Sequence, residues 1–505
     1  MLGRMLLVVL VLLCSGLGCR SLPPGVNVEG TPSHIAPSDV RLLIDSTAWD
    51  ADGNQRVIRQ EIFDALLEMI DQAHSAIVLD LFLWNRMGSS DTDHRALSSE
   101  LVDALLRRQL EKPELEIIAL TDPINALYGQ DLDPHLQRLR DAGIPVVLTD
   151  LRRLRDSHLL YAAPAHSTAW VFDRVPRITG YLSKPRLTNP VDPNAPRLSY
   201  EQVGRLLFFK ANHRKLALVD HADATWTVLV TSFNPHDASS AHSNIALQLR
   251  GKVARDALES ELHTIEWSAR AIDDLSDRAE VAQAVLCVRS AARQGEATVP
   301  PASGVTAQWL TERAIRDKLI ELCDGAPSDG IIRIGIFYLS ERRVISAIRR
   351  AARRGVSVRM ILDPNRSAFG RRKNGVPNRI VARELMNCAR WRGLDLEVRW
   401  ADTHGEQFHT KALCVADANG DGALLCGSAN WTRRNLNNLN MEAVALIEGD
   451  RASMDRFCVY FDRAWSNSDG LIYTLPYFAY AENWWSGFWK GLLYRIGEYS
   501  GSSTF

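Results

Sequence analysis

Five polar positions occur twice in this chain at the same spacing. The first set is His213, Lys215, Ser232, Asn234 and Asn244, and the second is His409, Lys411, Ser428, Asn430 and Asn440. Measured from each histidine, the offsets are +2, +19, +21 and +31 in both. On a strand, side chains two apart share a face, so His-x-Lys sends an imidazole and an ammonium into one space. Ser-x-Asn on a neighbouring strand does the same with a hydroxyl and an amide. Two such faces brought together offer donors from several sides and no carboxylate cluster to hold a metal. That set suits a tetrahedral anion, and the obvious one is a phosphodiester. One imidazole can attack phosphorus. The other can protonate the leaving oxygen and then activate an acceptor. Lysine and asparagine donors would stabilise the charge that builds on the equatorial oxygens.

The run His213-Arg214-Lys215-Leu216-Ala217-Leu218-Val219-Asp220 is HxKxxxxD, and Gly427-Ser428-Ala429-Asn430 is the matching downstream block. Together they resemble the phospholipase D superfamily in its two-motif, single-chain form, over about residues 35–470. The resemblance implies an α/β fold: two tandem α/β/α sandwich domains related by a pseudo-twofold, sharing one active site. It implies a phosphohistidine intermediate formed without metal or other cofactor. Carried over by position, the catalytic set is His213, Lys215, Asn234, His409, Lys411 and Asn430, supported by Ser232 and Ser428. Asp220, Asp417, Asn244 and Asn440 are structural positions near it. Three departures stand out: Asp417 comes one residue late, Thr231 replaces a glycine, and Glu442 follows Asn440 where Ala246 follows Asn244. In this family a carboxylate near that position orients an imidazole. Glu442 is therefore expected beside His409, favouring its protonated form and a general-acid role. His213 is left as the nucleophile, the two titrating as a pair.

Elements that position these residues repeat as well. Ile77–Trp84 resembles Ile331–Tyr338, each a buried strand. Helical stretches Ser99–Gln109 and Glu341–Arg354 follow. Strands ending in Asp122-Pro123 and Asp363-Pro364 come next, then strands near Ile144–Leu148 and Leu396–Trp400. Alternating strands and helices predict sheets covered by helices on both faces. The halves are expected over 35–270 and 303–470, joined by a helix, Asp273–Arg293, and a linker within 271–302. From Asp122 to His213 is 91 residues, against 46 from Asp363 to His409. The first half thus carries an insertion at about 155–204, read either as a lid or as surface elaboration.

At 505 residues the chain has room for two or three domains. With 59 basic against 60 acidic residues, no global basic field exists to attract nucleic acid. The basic run Arg366, Arg371, Arg372, Lys373 and Arg379 is either a solvated face or a phosphate contact. His236, His242 and His404 are read as supporting or surface residues. Arg4, the apolar run Met5–Leu13 and small residues before Cys19 read as an export signal over 1–19, with Cys19 a lipidation candidate. That implies a periplasmic or membrane-anchored protein. The six later cysteines show no metal spacing, and are expected as buried thiols or, in an oxidising compartment, disulfides.

From Tyr473 to Tyr499, inside a tail at 471–505, ten aromatics occur. The spacing of Trp485, Phe488, Trp489, Leu492, Leu493 and Ile496 makes an apolar helical stripe. That stripe is expected to dock on the second domain, the other reading being a membrane interface. The resemblance and these features together imply a phospholipid substrate, a membrane surface as partner and a monomer. Phospholipase D-type hydrolysis and cardiolipin synthase-type transfer both remain open. A nuclease on the same fold and a catalytically silent binding protein are the alternatives.

Overall fold

The computed structural model describes residues 21–53, 55–86, 94–126, 132–156, 184–188, 197–200, 202, 210–293, 303–368, 371–482 and 484–500. The segment expected to be an export signal, with Cys19, most of the 155–204 insertion and most of the expected linker lie outside these residues.

Two large mixed sheets organise the described chain. In the first, the order is Arg56–Arg59, Val40–Trp49, Asn244–Arg250, Trp226–Thr231, Lys215–Asp220, Ala76–Leu81, Glu116–Thr121 and Val146–Leu148. The last three are mutually parallel, linked by the helices Leu97–Glu111 and Pro134–Asp141. The Lys215–Asp220 strand joins them antiparallel. In the second sheet the order is Ser33–His34, Thr306–Thr311, Ala443–Glu448, Gly422–Gly427, Lys411–Ala416, Ile331–Ile336, Ser357–Leu362, Leu396–Ala401 and Thr474–Pro476. Its parallel strands Ile331–Ile336, Ser357–Leu362 and Leu396–Ala401 are linked by the helices Arg342–Arg353 and Asn378–Arg392. The two halves therefore share one topology, and the α/β reading holds.

Local sequence explains the layers. Every residue of the Lys215–Asp220 and Lys411–Ala416 strands is buried, as expected for strands covered on both faces. The helix Arg342–Arg353 buries Val344, Ile345, Ala347, Ile348, Ala351 and Ala352, while its arginines hold the outer face. Glu341 caps it, its carboxylate accepting from Arg343 N at 3.3 Å. Each half has its own outer core, one around Phe63, Leu79 and Leu105, the other around Ile334, Ile348 and Leu385. A third core is shared. It joins Leu218 and Val228 of the first sheet to Trp309, Leu424 and Cys426 of the second, with Leu262 and Phe457 from flanking helices. Because this core crosses between halves, the ends of the central strands meet across one seam.

The sheets also draw in chain outside the expected bounds. Ser33–His34 pairs with the second sheet, and Thr474–Pro476 extends that sheet beyond residue 470. Pairing of Leu81 with Lys215 and of Ile336 with Lys411 makes Phe82 and Phe337 equivalent, one residue off the alignment suggested by composition. The six described cysteines are free thiols, with Cys323, Cys414 and Cys426 buried.

Candidate active site

Both His-x-Lys motifs lie at strand mouths rather than within strands. The strands begin at Lys215 and Lys411. Each histidine sits in the extended segment before its strand, where backbone pairing switches to the other half. Asn212 bridges Met441, and Phe408 bridges Ser243. His213 N donates to Met441 O at 2.9 Å, and Ser243 N donates to Gln407 O at 3.0 Å. Ser232 and Ser428 likewise come directly after strands ending at Thr231 and Gly427. These two exchanged bridges place each histidine against a residue from the opposite half.

That exchange corrects one expectation. Glu442 is not the partner of His409: His213 Nδ1 donates to Glu442 Oε1 at 2.7 Å. His409 Nδ1 instead faces Asn244 Oδ1 at 3.3 Å. The internal equivalence needs the same correction. Ile245 N donates to Ser232 Oγ at 2.9 Å, and Ala443 N donates to Ser428 Oγ at 3.0 Å. Ser232 Oγ in turn donates to Asn244 Oδ1 at 3.2 Å, while Ser428 Oγ donates to Glu442 Oε2. Asn244 therefore corresponds to Glu442. Asn440 corresponds to His242: Ala211 N donates to Asn440 Oδ1 at 3.1 Å, and Gln407 N lies 3.3 Å from His242 Nδ1. The shared +31 spacing of Asn244 and Asn440 is a coincidence of numbering.

Around the imidazoles the site is closely symmetric. Lys215 Nζ donates to His213 O at 2.7 Å, and Lys411 Nζ to His409 O at 2.6 Å. Phe82 packs on His213 at 4.6 Å between ring centroids, and Phe337 on His409 at 5.0 Å. Each lysine also lies over its phenylalanine, at 4.8 and 5.3 Å, a cation–π contact. Asn125 and Asn365 hold the carbonyls of Phe82 and Phe337, at 2.8 and 2.9 Å. Asp122 accepts from Asn212 N at 2.7 Å, and Asp363 from Phe408 N at 2.9 Å, each fixing the residue before a histidine. The repeated Asp-Pro was the sequence signal for that brace. The two phenylalanines had no such signal, since an aromatic at the end of a buried strand reads as core.

Asn234 and Asn430 are buried beside the motifs. Asn234 Oδ1 accepts weakly from Leu83 N at 3.4 Å. Asn430 Oδ1 has no hydrogen-bond partner among the described residues, an unmet polar atom in a site otherwise well paired. Asp220 caps the start of the Ala76–Leu81 strand, accepting from Ser75 N and Ala76 N at 2.7 and 2.8 Å. Asp417 closes an exposed turn, accepting from Asn419 N and Asp421 N at 2.8 and 3.0 Å. Both are structural, though not equivalent. His242 is bound to Glu406 at 2.9 Å, and its ring lies 6.3 Å from that of His409. His404 stacks on Trp49 away from the pair, and His236 bonds to Ser239.

Arg214, between the two motif residues, points the other way and is fully buried. It donates to Glu261 at 2.8 Å, to Glu312 at 2.7 Å and to Gly25 O at 2.7 Å. Glu312 also accepts from Glu442 N at 2.9 Å. A buried ionic link from the first half thus holds the backbone of the residue that holds His213.

Electrostatically, burial disfavours positive charge on all four motif side chains. Burial lowers His213 to about 4, against the pull of Glu442, with Lys215 adding to the drop. Burial lowers Lys215 to about 7. His409 and Lys411 are driven well below their ordinary values, first by burial and then by neighbouring cations. An oxyanion placed between them reverses the cation repulsion and favours the charged forms. Among the described residues, no group of three or more His, Cys, Asp or Glu side chains is arranged to hold a metal ion.

Comparison with known proteins agrees with this geometry. Residues 326–465 match the family described as "Cardiolipin synthase, PLD-like domain". They belong to the phospholipase D superfamily. The crystal structure of phosphatidylserine synthase from Haemophilus influenzae Rd KW20 matches over 96% of this chain and 97% of that one. Sequence identity is 13% and the TM-score is 0.55, a likeness of fold across both halves. Nuc, a phospholipase D family member from Salmonella typhimurium, matches over 32% of this chain and 95% of its own, at 18% identity and a TM-score of 0.26. No curated protein sequence matches the chain. The paired sandwiches, with both His-x-Lys motifs at their seam, are the phospholipase D superfamily layout that the sequence implied.

Proposed function

We propose that this chain is a phospholipid phosphodiesterase or phosphatidyltransferase of the phospholipase D or cardiolipin synthase type, working through a phosphohistidine without metal. The observation that carries the reading is the pair of buried imidazoles with unlike partners, His213 on Glu442 and His409 on Asn244, flanked by Lys215 and Lys411. With its Nδ1–H given to a carboxylate, His213 presents an unprotonated Nε2 for attack. Its Nε2 forms the bond to phosphorus as the P–O bond to the leaving alcohol breaks. His409, protonated once the anion is in place, gives its Nε2 proton to that oxygen. Water or a second alcohol then loses its proton to His409 and attacks phosphorus, and the P–N bond breaks. Lys215, Lys411, Asn234 and Asn430 serve the phosphoryl oxygens. His213 keeps the nucleophile's role expected from sequence, for the opposite reason: it holds the carboxylate rather than lacking one.

The proposal places the protein, as a monomer, at a membrane surface outside the cytoplasm, on the strength of the 1–19 export signal and Cys19. Turnover of the purified chain in detergent–phospholipid micelles, with chelator and a primary alcohol, tests the function, with DNA in parallel. Phosphatidic acid or a phosphatidyl-alcohol is the expected product. DNA cleavage with intact lipid would replace this reading with a nuclease. Turnover of neither, with lipid still bound, would make the protein a silent binder.

A further inference from the structure

The C-terminal helix Trp484–Ser500 docks by the face opposite to its apolar stripe. Tyr494 is 4% exposed, and its hydroxyl donates to Ser340 O at 3.0 Å. Gly487 and Gly491 admit Arg383 and Ile380 of the helix Asn378–Arg392. Trp485, Phe488, Trp489, Leu492, Leu493 and Ile496 are all exposed, so the expectation that this stripe packs on the second domain is overturned. The small face docks because glycines there let the backbone approach closely. The reactive groups that the mechanism leaves unused are thiols, and two of them meet where the helix Arg451–Ser466 covers the second sheet.

Cys414 lies in the strand Lys411–Ala416. Side chains alternate along a strand, so Leu413 and Val415 face the outer core of the second half, while Ala412, Cys414 and Ala416 face the core shared by both halves. The helix Arg451–Ser466 turns Met454, Phe457, Phe461 and Ala464 into that shared core. Cys458, at the edge of the same face, is half-buried against it. An ion pair fixes helix against strand. Arg333 is the cross-strand partner of Cys414, and Asp462 stands one turn after Cys458. Arg333 Nε and Nη2 donate to the two carboxylate oxygens of Asp462 at 2.9 and 2.8 Å. Cross-strand neighbours, like residues one helical turn apart, lie about 5–6 Å from one another. The forked bridge therefore sets the two sulfurs side by side, and the thiols are hydrogen-bonded to each other.

The two thiols are unequal. The hydrogen bond with Cys414, helped by the Arg333 guanidinium, holds Cys458 below the ordinary thiol value against the effect of burial. The same hydrogen bond, with burial, drives Cys414 well above it. A half-exposed sulfur that ionises readily beside a buried one that does not makes an attacking and a resolving thiol. We propose that Cys414 and Cys458 form a thiol–disulfide exchange site, which a low-molecular-weight disulfide oxidises to an intramolecular bond. The Cys458 thiolate attacks one sulfur of that disulfide and expels the other as a thiolate. Cys414 then attacks the Cys458 sulfur, its proton passing to the second departing thiolate. Two protein thiols are thereby oxidised, and one external disulfide is reduced to two thiols. The new bond ties the strand that carries Lys411 to a helix bridged to the first half, where Arg456 donates to Glu61 at 2.5 Å. Oxidation therefore staples the seam, whatever substrate the seam turns over.

The test treats the full native chain with glutathione disulfide at mildly alkaline pH. Non-reducing peptide mapping should find Cys414 joined to Cys458, and dithiothreitol should reverse the link. In Cys414→Ala the reaction should stop at a glutathione adduct on Cys458. In Cys458→Ala, Cys414 should stay unmodified. The oxidised wild-type protein should melt about 3–5 °C above the reduced one. A wild-type chain that keeps both thiols, a lasting glutathione adduct on its Cys458, or a link that forms only in urea would each overturn the proposal. So would an adduct on Cys414 in a Cys458→Ala protein that melts like the reduced wild type. An oxidised protein that melts no higher would overturn the stapling. The wild-type map needs no variant, and so decides the matter even where a substitution unfolds the chain.

Discussion

Glu442 belongs to the second half of the chain but is hydrogen-bonded, at 2.7 Å, to His213 of the first. The corresponding contact on the other side of the seam is an amide, Asn244, 3.3 Å from His409. One half therefore completes the other, and the completed sites are not alike.

That asymmetry predicts unequal mutants. Glu442→Gln keeps an acceptor near His213 but removes the charge that holds its tautomer, and kcat/KM should fall by about 10²–10⁴-fold. Asn244→Ala should cost about tenfold, because the acceptor it removes from His409 is an uncharged amide. Steady-state rates on a soluble phosphodiester decide it. Equal losses would show that the carboxylate has no special part.

Roles separate with an activated leaving group. With a p-nitrophenyl phosphodiester, His409→Ala should still form the covalent intermediate, because that leaving group needs no proton. His213→Ala should form none. Mass spectrometry of quenched protein reads this directly, and label on His409 in His213→Ala would reverse the assignment.

Lys215 gives a pH test of the pocket's electrostatics. Its folded value, about 7, lies below the ordinary 10.5. Between these values the unfolded chain binds a proton that the folded chain does not, so stability rises with pH. Asp122 and Asp363, raised to about 7 by burial, act with the opposite sign between pH 4 and 7. The clean window is pH 7–9. There the native protein should gain roughly 1.4 kcal/mol per pH unit relative to Lys215→Met in denaturant unfolding. Parallel profiles would mean that Lys215 stays charged in the empty site.

Vanadate or phosphate should stabilise the native protein more at pH 6.5 than at pH 9, since lower pH supplies the protons that the anion recruits. Melting temperatures with and without anion measure it. Lys215→Met should lose most of the difference.

Arg214 predicts a stability defect with a catalytic echo. Arg214→Leu leaves buried carboxylates without their cation and should cost about 3–5 kcal/mol in urea unfolding. The fraction that still folds should show a lowered kcat, because Glu312, freed from Arg214, no longer fixes the backbone of Glu442. A full kcat would confine Arg214 to stability.

Residue types and short-range spacing determined much of this protein. Two His-x-Lys motifs, Ser-x-Asn blocks and repeated Asp-Pro strand ends identified the duplicated α/β halves and the residues gathered at the seam, because strand alternation and buried apolar runs are local properties. Tertiary structure alone decided what crosses that seam. The turn between Ser428 and Glu442 is two residues longer than that between Ser232 and Asn244, so counting from each histidine pairs Asn244 with Asn440 and misses Glu442. Which histidine receives the carboxylate depends on exchanged backbone bridges between segments some two hundred residues apart, and no local pattern encodes those. The tail shows the same division. Periodicity reveals an apolar stripe on Trp484–Ser500, yet only packing shows that Tyr494 and two glycines make the docked face, because close approach of backbones can outweigh the burial of larger side chains elsewhere on the helix.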